Sequence, residues 1–82
     1  MTIEVTYYSW FKDIAKINKE TFNLNADAPT LGTLLDAVHK KHPVLKDSER
    51  STLMAVGLDY QKADYQLKEG DEVSFFPPVQ GG

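Results

Sequence analysis

One segment of this 82-residue chain carries both its own period and its own boundaries. Leu31, Leu34, Leu35 and Val38 fall at i, i+3, i+4 and i+7, which places all four on one face of a helix. Thr30 follows Pro29 and can cap the free N–H groups of the first turn. Lys40, Lys41 and His42 crowd the last turn, where positive charge suits the helix dipole, and Pro43 stops it. A helix with one apolar stripe must bury that stripe against another element, and most of the remaining chain reads as strands.

Ile3, Val5 and Tyr7 alternate with Glu4 and Thr6, the period of a half-buried strand. The aromatic run Tyr7-Tyr8-Ser9-Trp10-Phe11 ends that strand, and a short helical turn is expected through Lys12, Asp13, Ile14 and Ala15. Thr21-Phe22-Asn23-Leu24 reads as a second strand, near enough to pair with the first as a hairpin. Residues 44 to 51 are polar and are expected to loop over the surface. Leu53-Met54-Ala55-Val56 is a third strand, and the stretch from Tyr60 to Gln66 holds one short edge strand of mixed polarity. Lys68-Glu69-Gly70-Asp71 is a turn in which Gly70 is free to take positive φ. In the last strand, Glu72 to Phe76, alternation sends Val73 and Phe75 inward and leaves Ser74 and Phe76 outward. This order predicts one α+β domain with the helix packed across one face of a mixed sheet. The domain is expected over residues 1–76, with 77–82 as a projecting tail.

Composition narrows the chemistry. With 41% apolar and 26% charged residues the chain sits in the globular range. It has no cysteine, so neither a disulfide, a thiolate metal site nor a cysteine nucleophile is available. A formal charge of −3 argues against nucleic acid as the main ligand. Neither a secretory signal nor an apolar run of the ~20 residues needed to span a bilayer is present, so no membrane partner and a cytoplasmic location are expected. His39 and His42 lie i, i+3 on the helix without a third ligand, and dipole complementation is the simpler role, so no metal is expected. Glu69, Asp71 and Glu72 fit a solvated turn better than a catalytic pair. Tyr7, Tyr8, Trp10 and Phe11 fit a core better than a base-stacking platform, with Tyr8 or Trp10 partly exposed.

The chemistry is concentrated in the last residues, Pro77-Pro78-Val79-Gln80-Gly81-Gly82. Two prolines end sheet pairing and project the chain stiffly. The six residues reach at most ~20 Å when extended. Gly81 and Gly82 have no side chains and can thread a narrow channel. A terminal glycine carboxylate is unhindered, but it must be activated as a mixed anhydride before a sulfur donor or an amine can attack it. No glycine-rich phosphate loop is present in the sequence, so ATP is expected to be consumed by an activating partner and no cofactor bound here.

The segment Gly70-Asp71-Glu72-Val73-Ser74-Phe75-Phe76-Pro77-Pro78-Val79-Gln80-Gly81-Gly82 resembles the C-terminal signature of the small subunits of molybdopterin synthase, the MoaD group of sulfur carriers. Residues 3–14, 30–35 and 54–56 resemble the family's first strand and helix, main helix start and third strand. Lys12-Asp13 stands where Arg-Glu is usual, Lys16 replaces a common glycine, and Gly57-Leu58 replaces an Asn-containing turn. The resemblance implies a ubiquitin-like β-grasp fold. It also implies that an E1-like enzyme adenylates Gly82 and that a sulfurtransferase converts it to a thiocarboxylate. The tail then enters the large catalytic subunit of the synthase and donates sulfur to cyclic pyranopterin monophosphate. The chain itself would be a non-catalytic subunit, with Gly81 the clearance residue and Phe76 an outward anchor for both partners. Lys12, and Leu58 at a loop tip, are further candidate contacts. The alternatives use the same Gly82, either in a ubiquitin-like modifier or in a carrier for thiamine thiazole or tRNA thiolation. A third is a binding module whose Pro-Pro tail is a recognition peptide.

Overall fold

The computed structural model describes residues 1–45 and 52–76. In chain order these form β1 (Thr2–Tyr7), α1 (Trp10–Ala15), β2 (Lys19–Asn23), α2 (Leu31–Lys41), β3 (Leu53–Val56), β4 (Asp59–Tyr60) and β5 (Glu72–Phe76). The five strands make one sheet in the order β2-β1-β5-β3-β4. The central pair, β1 and β5, is parallel, and every other pairing is antiparallel. Ile3, Val5, Tyr7, Phe22, Met54, Val73 and Phe75 are buried on the inner face. They join the α2 stripe Leu31, Leu34, Leu35 and Val38, together with Phe11 and Ala15 of α1, in a single core. This is the α+β, ubiquitin-like β-grasp arrangement expected from the sequence. Among the described residues no helix is long and apolar enough to cross a membrane.

Thr30 caps α2 as expected, and Thr33 completes a capping box. The Thr30 hydroxyl accepts the Thr33 N–H at 3.3 Å, and the Thr33 hydroxyl accepts the Thr30 N–H at 3.1 Å. The next free donors of this helix explain an error in the sequence reading. Leu31 N–H donates to Tyr65 O and Gly32 N–H to Ala63 O, at 2.9 and 2.8 Å. The backbone after Tyr60 therefore serves the helix end, and the expected edge strand is confined to β4, Asp59–Tyr60. Pairing there is limited to β4 and an isolated bridge between Gln66 and Thr30.

Other boundaries shift for physical reasons. The first helix starts at Trp10, two residues before the expected turn, after a tight turn in which Phe11 N–H donates to Tyr8 O at 3.2 Å. The loop expected after the main helix first makes a 3₁₀ turn over 43–45, and Leu45, only 2% exposed, plugs the core. The rest of that expected loop lies outside the described residues. The Lys68–Asp71 turn forms as expected: Gly70 has φ 83°, Asp71 accepts the Lys68 N–H, and Glu69 accepts the Thr2 N–H.

The second strand begins at Lys19, two residues early, because an acid occupies an inward position. Glu20 is 8% exposed and alternates with Phe22 on the core side. Its Oε2 accepts the Tyr7 hydroxyl and meets His42 Nε2, each at 2.6 Å. Its Oε1 has no well-angled hydrogen bond but lies 2.6 Å from Lys41 Nζ, an ion pair. His42 is the C-cap of α2, so its role is a bond across to the sheet and not only dipole complementation, while His39 is buried on the helix. Among the described residues no group of three or more His, Cys, Asp or Glu is arranged to hold a metal.

Two consequences are measurable. Burial works to raise the Glu20 carboxyl, but the donors Lys41, Tyr7 and His42 and the His42 charge outweigh it and hold it below its ordinary value of 4.5. A depressed carboxylate contributes stability that is complete above its unfolded value and is lost as pH falls through its folded one. Glu20→Gln should therefore lower unfolding free energy by about 1–3 kcal/mol at pH 7. That deficit should shrink below about pH 4.5, as followed by denaturant titration across pH; a deficit constant down to pH 2 would refute the linkage. Lys16, the residue that ends α1, sits at φ 61°, ψ 24°, where a Cβ is strained. Lys16→Gly should stabilise the fold by about 0.5–1 kcal/mol relative to Lys16→Ala, and equal denaturation midpoints for the two would contradict it.

Candidate partner-docking face

The residues alternating with the core make the outer face of the sheet. On β5 these are Glu72, Ser74 and Phe76, as the sequence period requires, with Val73 and Phe75 each 1% exposed beneath. Phe76, the last described residue, is half-buried between two rings. Tyr8 and Tyr60 each meet it edge-on, with ring centroids 5.6 Å away at 69° and 75°. Both tyrosines are exposed, at 49% and 64%. Such edge-to-face pairs contribute about 0.5–1.5 kcal/mol beyond area burial, enough to order the three rings without hiding them.

Each ring is held by local backbone chemistry. Tyr8 N–H donates to Phe75 O at 3.0 Å, which extends the β1–β5 pairing by one residue. Ser9 then turns the chain sharply away, at φ 56° and ψ −136°. Tyr60 is opposite Ala55 in the β3–β4 hairpin, whose two-residue tip is Gly57-Leu58. Gly57 takes φ 61° at the first tip position, the place where a type II′ turn demands glycine. Its N–H is tied to Glu72 O at 3.0 Å. Leu58 is consequently thrust outward, 101% exposed.

Tyr8, Ala55, Leu58, Tyr60, Ser74 and Phe76 line one open depression of about 530 Å³. Three of the five large apolar side chains exposed among the described residues lie here, and that clustering makes this face the candidate docking surface. The structure thus brings Phe76 and Leu58 together. Lys12 is exposed on α1 and lines a different depression with Asp13, Lys16, Ile17 and Asn18, outside the Phe76 cluster. Pro77, Pro78, Val79, Gln80, Gly81 and Gly82 lie outside the described residues. Sequence reasoning missed Tyr60 as a face residue; the signal was Gly57, since a glycine-led two-residue tip fixes which residues stand opposite one another.

This face offers apolar area, hydroxyls and the charged side chains of Glu4, Lys19 and Glu72. The chain is similar to the molybdopterin synthase sulfur carrier subunit of Chlamydomonas reinhardtii, 33% identical with all of both chains covered. Its fold matches SAMP1 of Haloferax volcanii at TM-score 0.85 and 23% identity over the whole of both chains. It also matches a chain in the complex of subunits 1 and 2 of the molybdopterin-converting factor of Helicobacter pylori, at TM-score 0.69 and 25% identity, again over both full chains. The ThiS family pattern runs over residues 5–82, from the first strand through Gly81-Gly82, and the chain is a member of that family.

Proposed function

We propose that this chain is the sulfur-carrier subunit of a molybdopterin synthase, with the Gly82 carboxylate as its working group. The observation that supports the reading is that the family match runs to residue 82 and so takes in the Gly-Gly end. The full-length similarity to a carrier subunit of that name supports the pathway, and the Helicobacter pylori complex supports a second, larger subunit as partner.

In this reading an E1-like enzyme consumes ATP to adenylate Gly82, and a sulfurtransferase supplies the sulfur that displaces the adenylate. The resulting thiocarboxylate donates its sulfur to cyclic pyranopterin monophosphate inside the large subunit, which supplies the acid–base groups. The carrier contributes position. From Phe76 the six remaining residues span at most ~20 Å, so the acceptor site lies close to the outer face and the partner covers it. Gly81 lets the backbone pass a constriction, while Pro77 and Pro78 limit the conformations lost on insertion. Phe76 and Leu58 supply the apolar contact.

Deleting Gly82 should abolish the thiocarboxylate, read by intact mass as loss of the oxygen-to-sulfur exchange, and should leave the melting temperature unchanged. Sulfur transfer retained by the deletion variant would overturn the proposal. Phe76→Ala should weaken capture of the large subunit by about 10- to 100-fold in a titration of the purified pair, as truncating a central aromatic anchor does. Unchanged affinity would remove the outer face from the interface.

A further inference from the structure

Strand register divides the outer face into three rows that run across the sheet. The row nearest the tail is apolar: Tyr8, Phe76 and, opposite Phe76, Leu53. The middle row takes one residue from every strand, Lys19 beside Thr6, Thr6 beside Ser74, Ser74 beside Ala55 and Ala55 beside Tyr60. Its three central members are small, so the surface drops into a trough. The third row is acidic, with Glu4 directly opposite Glu72 on the parallel pair β1–β5. Leu58 overhangs that side, and Tyr8, Ser74, Leu58 and Glu72 all line the polar half of the trough.

The two carboxylates are not equivalent. Glu4 is paired with Lys19 Nζ at 3.2 Å. The Glu72 carboxylate makes no hydrogen bond or ion pair among the described residues, although a like charge stands in register with it. Such opposition is mildly destabilising, so folding alone does not favour an acid there. The trough has an aromatic wall, a hydroxyl-bearing floor, Lys19 held by Glu4 at its β2 end, and on the far rim the Glu72 carboxylate, which has no ion pair among the described residues. That combination suits a side chain with a long methylene stem and a cationic head.

We propose that the trough receives an arginine or lysine side chain from the large synthase subunit. The stem crosses Ser74 and Ala55 beneath Tyr8 and Phe76, and the head is neutralised by Glu72. The assignment rests on the reading that this subunit covers the face, and adds the element that sets charge complementarity and register. Glu72 is then a specificity residue of the interface, and the neutral floor of Ser74 is part of the fit.

The test uses the purified full-length chain and the large synthase subunit encoded by the same genome, titrated at low and high salt. Glu72→Gln should weaken binding about 5- to 10-fold and Glu72→Lys about 100-fold or more, the effect of losing and then reversing one partner of an interfacial charge pair. The loss should diminish at about 1 M salt, where the screening length falls to about 3 Å. Ser74→Leu, which fills the trough without changing charge, should weaken binding about 10-fold. Both Glu72 variants should melt at or slightly above the wild-type temperature, which separates an interface role from a structural one. Wild-type affinity in Glu72→Lys and Ser74→Leu, alongside weak binding by Phe76→Ala, would overturn the trough assignment and leave the docking reading intact. Wild-type affinity in all three would overturn both, while the Gly82 thiocarboxylate is measured independently of either. Self-association of the free chain that Glu72→Lys abolishes, with no change in binding to the large subunit, would give the trough to a second copy and likewise overturn the assignment.

Discussion

The parallel pairing of β1 with β5 sets almost every other relation in the molecule. These strands come from opposite ends of the described chain, and parallel neighbours cannot be joined by a tight turn, so the hairpin, both helices and the second hairpin are strung between them. The register Val5↔Val73 and Tyr7↔Phe75 delivers four core residues to α2. The same register delivers Thr6↔Ser74 and Glu4↔Glu72 to the opposite face. A slip of one residue would turn Phe76 into the core and Phe75 out to solvent, destroying core and docking face in one step. Stability and surface chemistry therefore share a single constraint, and the buried side of the pair protects the arrangement of the exposed side.

A second constraint holds the helix to that sheet at its far end. Capping at Thr30 fixes where α2 begins, and at its C-terminus His42 and Lys41 both reach down to Glu20. Tyr7 completes the cluster from β1, with its ring edge-on to both His42 and Phe75. Burial penalises the carboxylate, and the donors more than offset it. Apolar replacement of such a cluster often gives equal or greater stability, so its advantage lies in geometry. A methyl group in place of the carboxylate would tolerate several positions of the helix end, whereas three directed contacts tolerate one.

The sequence made the large periodic elements legible because each is written twice, once in its hydrophobic period and once in its ends. The α2 stripe between Thr30 and Pro43 and the alternation in β1 and β5 are of this kind. What stayed hidden was written once, or in partners far along the chain. Glu20 falls just outside the strand read at 21–24, because its inward direction depends on Tyr7, Lys41 and His42. Leu45 falls within the stretch 44–51 read as a polar loop. The stretch from Tyr60 to Gln66 reads as holding one short edge strand, because nothing local announces that Ala63 and Tyr65 give their carbonyls to the start of α2, far earlier in the chain. The candidate face was half legible. Phe76 and Leu58 could be named from alternation and loop position, while their junction with Tyr60 required the hairpin register. The Gly81-Gly82 end is read from the chemistry of a glycine carboxylate alone, and it lies outside the described residues.

The division of labour follows from size. An 82-residue chain buries a smaller share of its surface than a larger domain does, so much of its apolar sequence goes into one compact core. Enclosure would require a cavity, and this core spends its apolar residues on closing itself. What remains is the outer face, where leaving Leu58, Tyr60 and Tyr8 uncovered forgoes a few kcal/mol of burial in the isolated chain. That deferred burial becomes available to any partner that seats on the sheet. On the proposed reading the exposed aromatics give a partner its seat, and the Gly-Gly end supplies the reactive group that the sheet itself lacks.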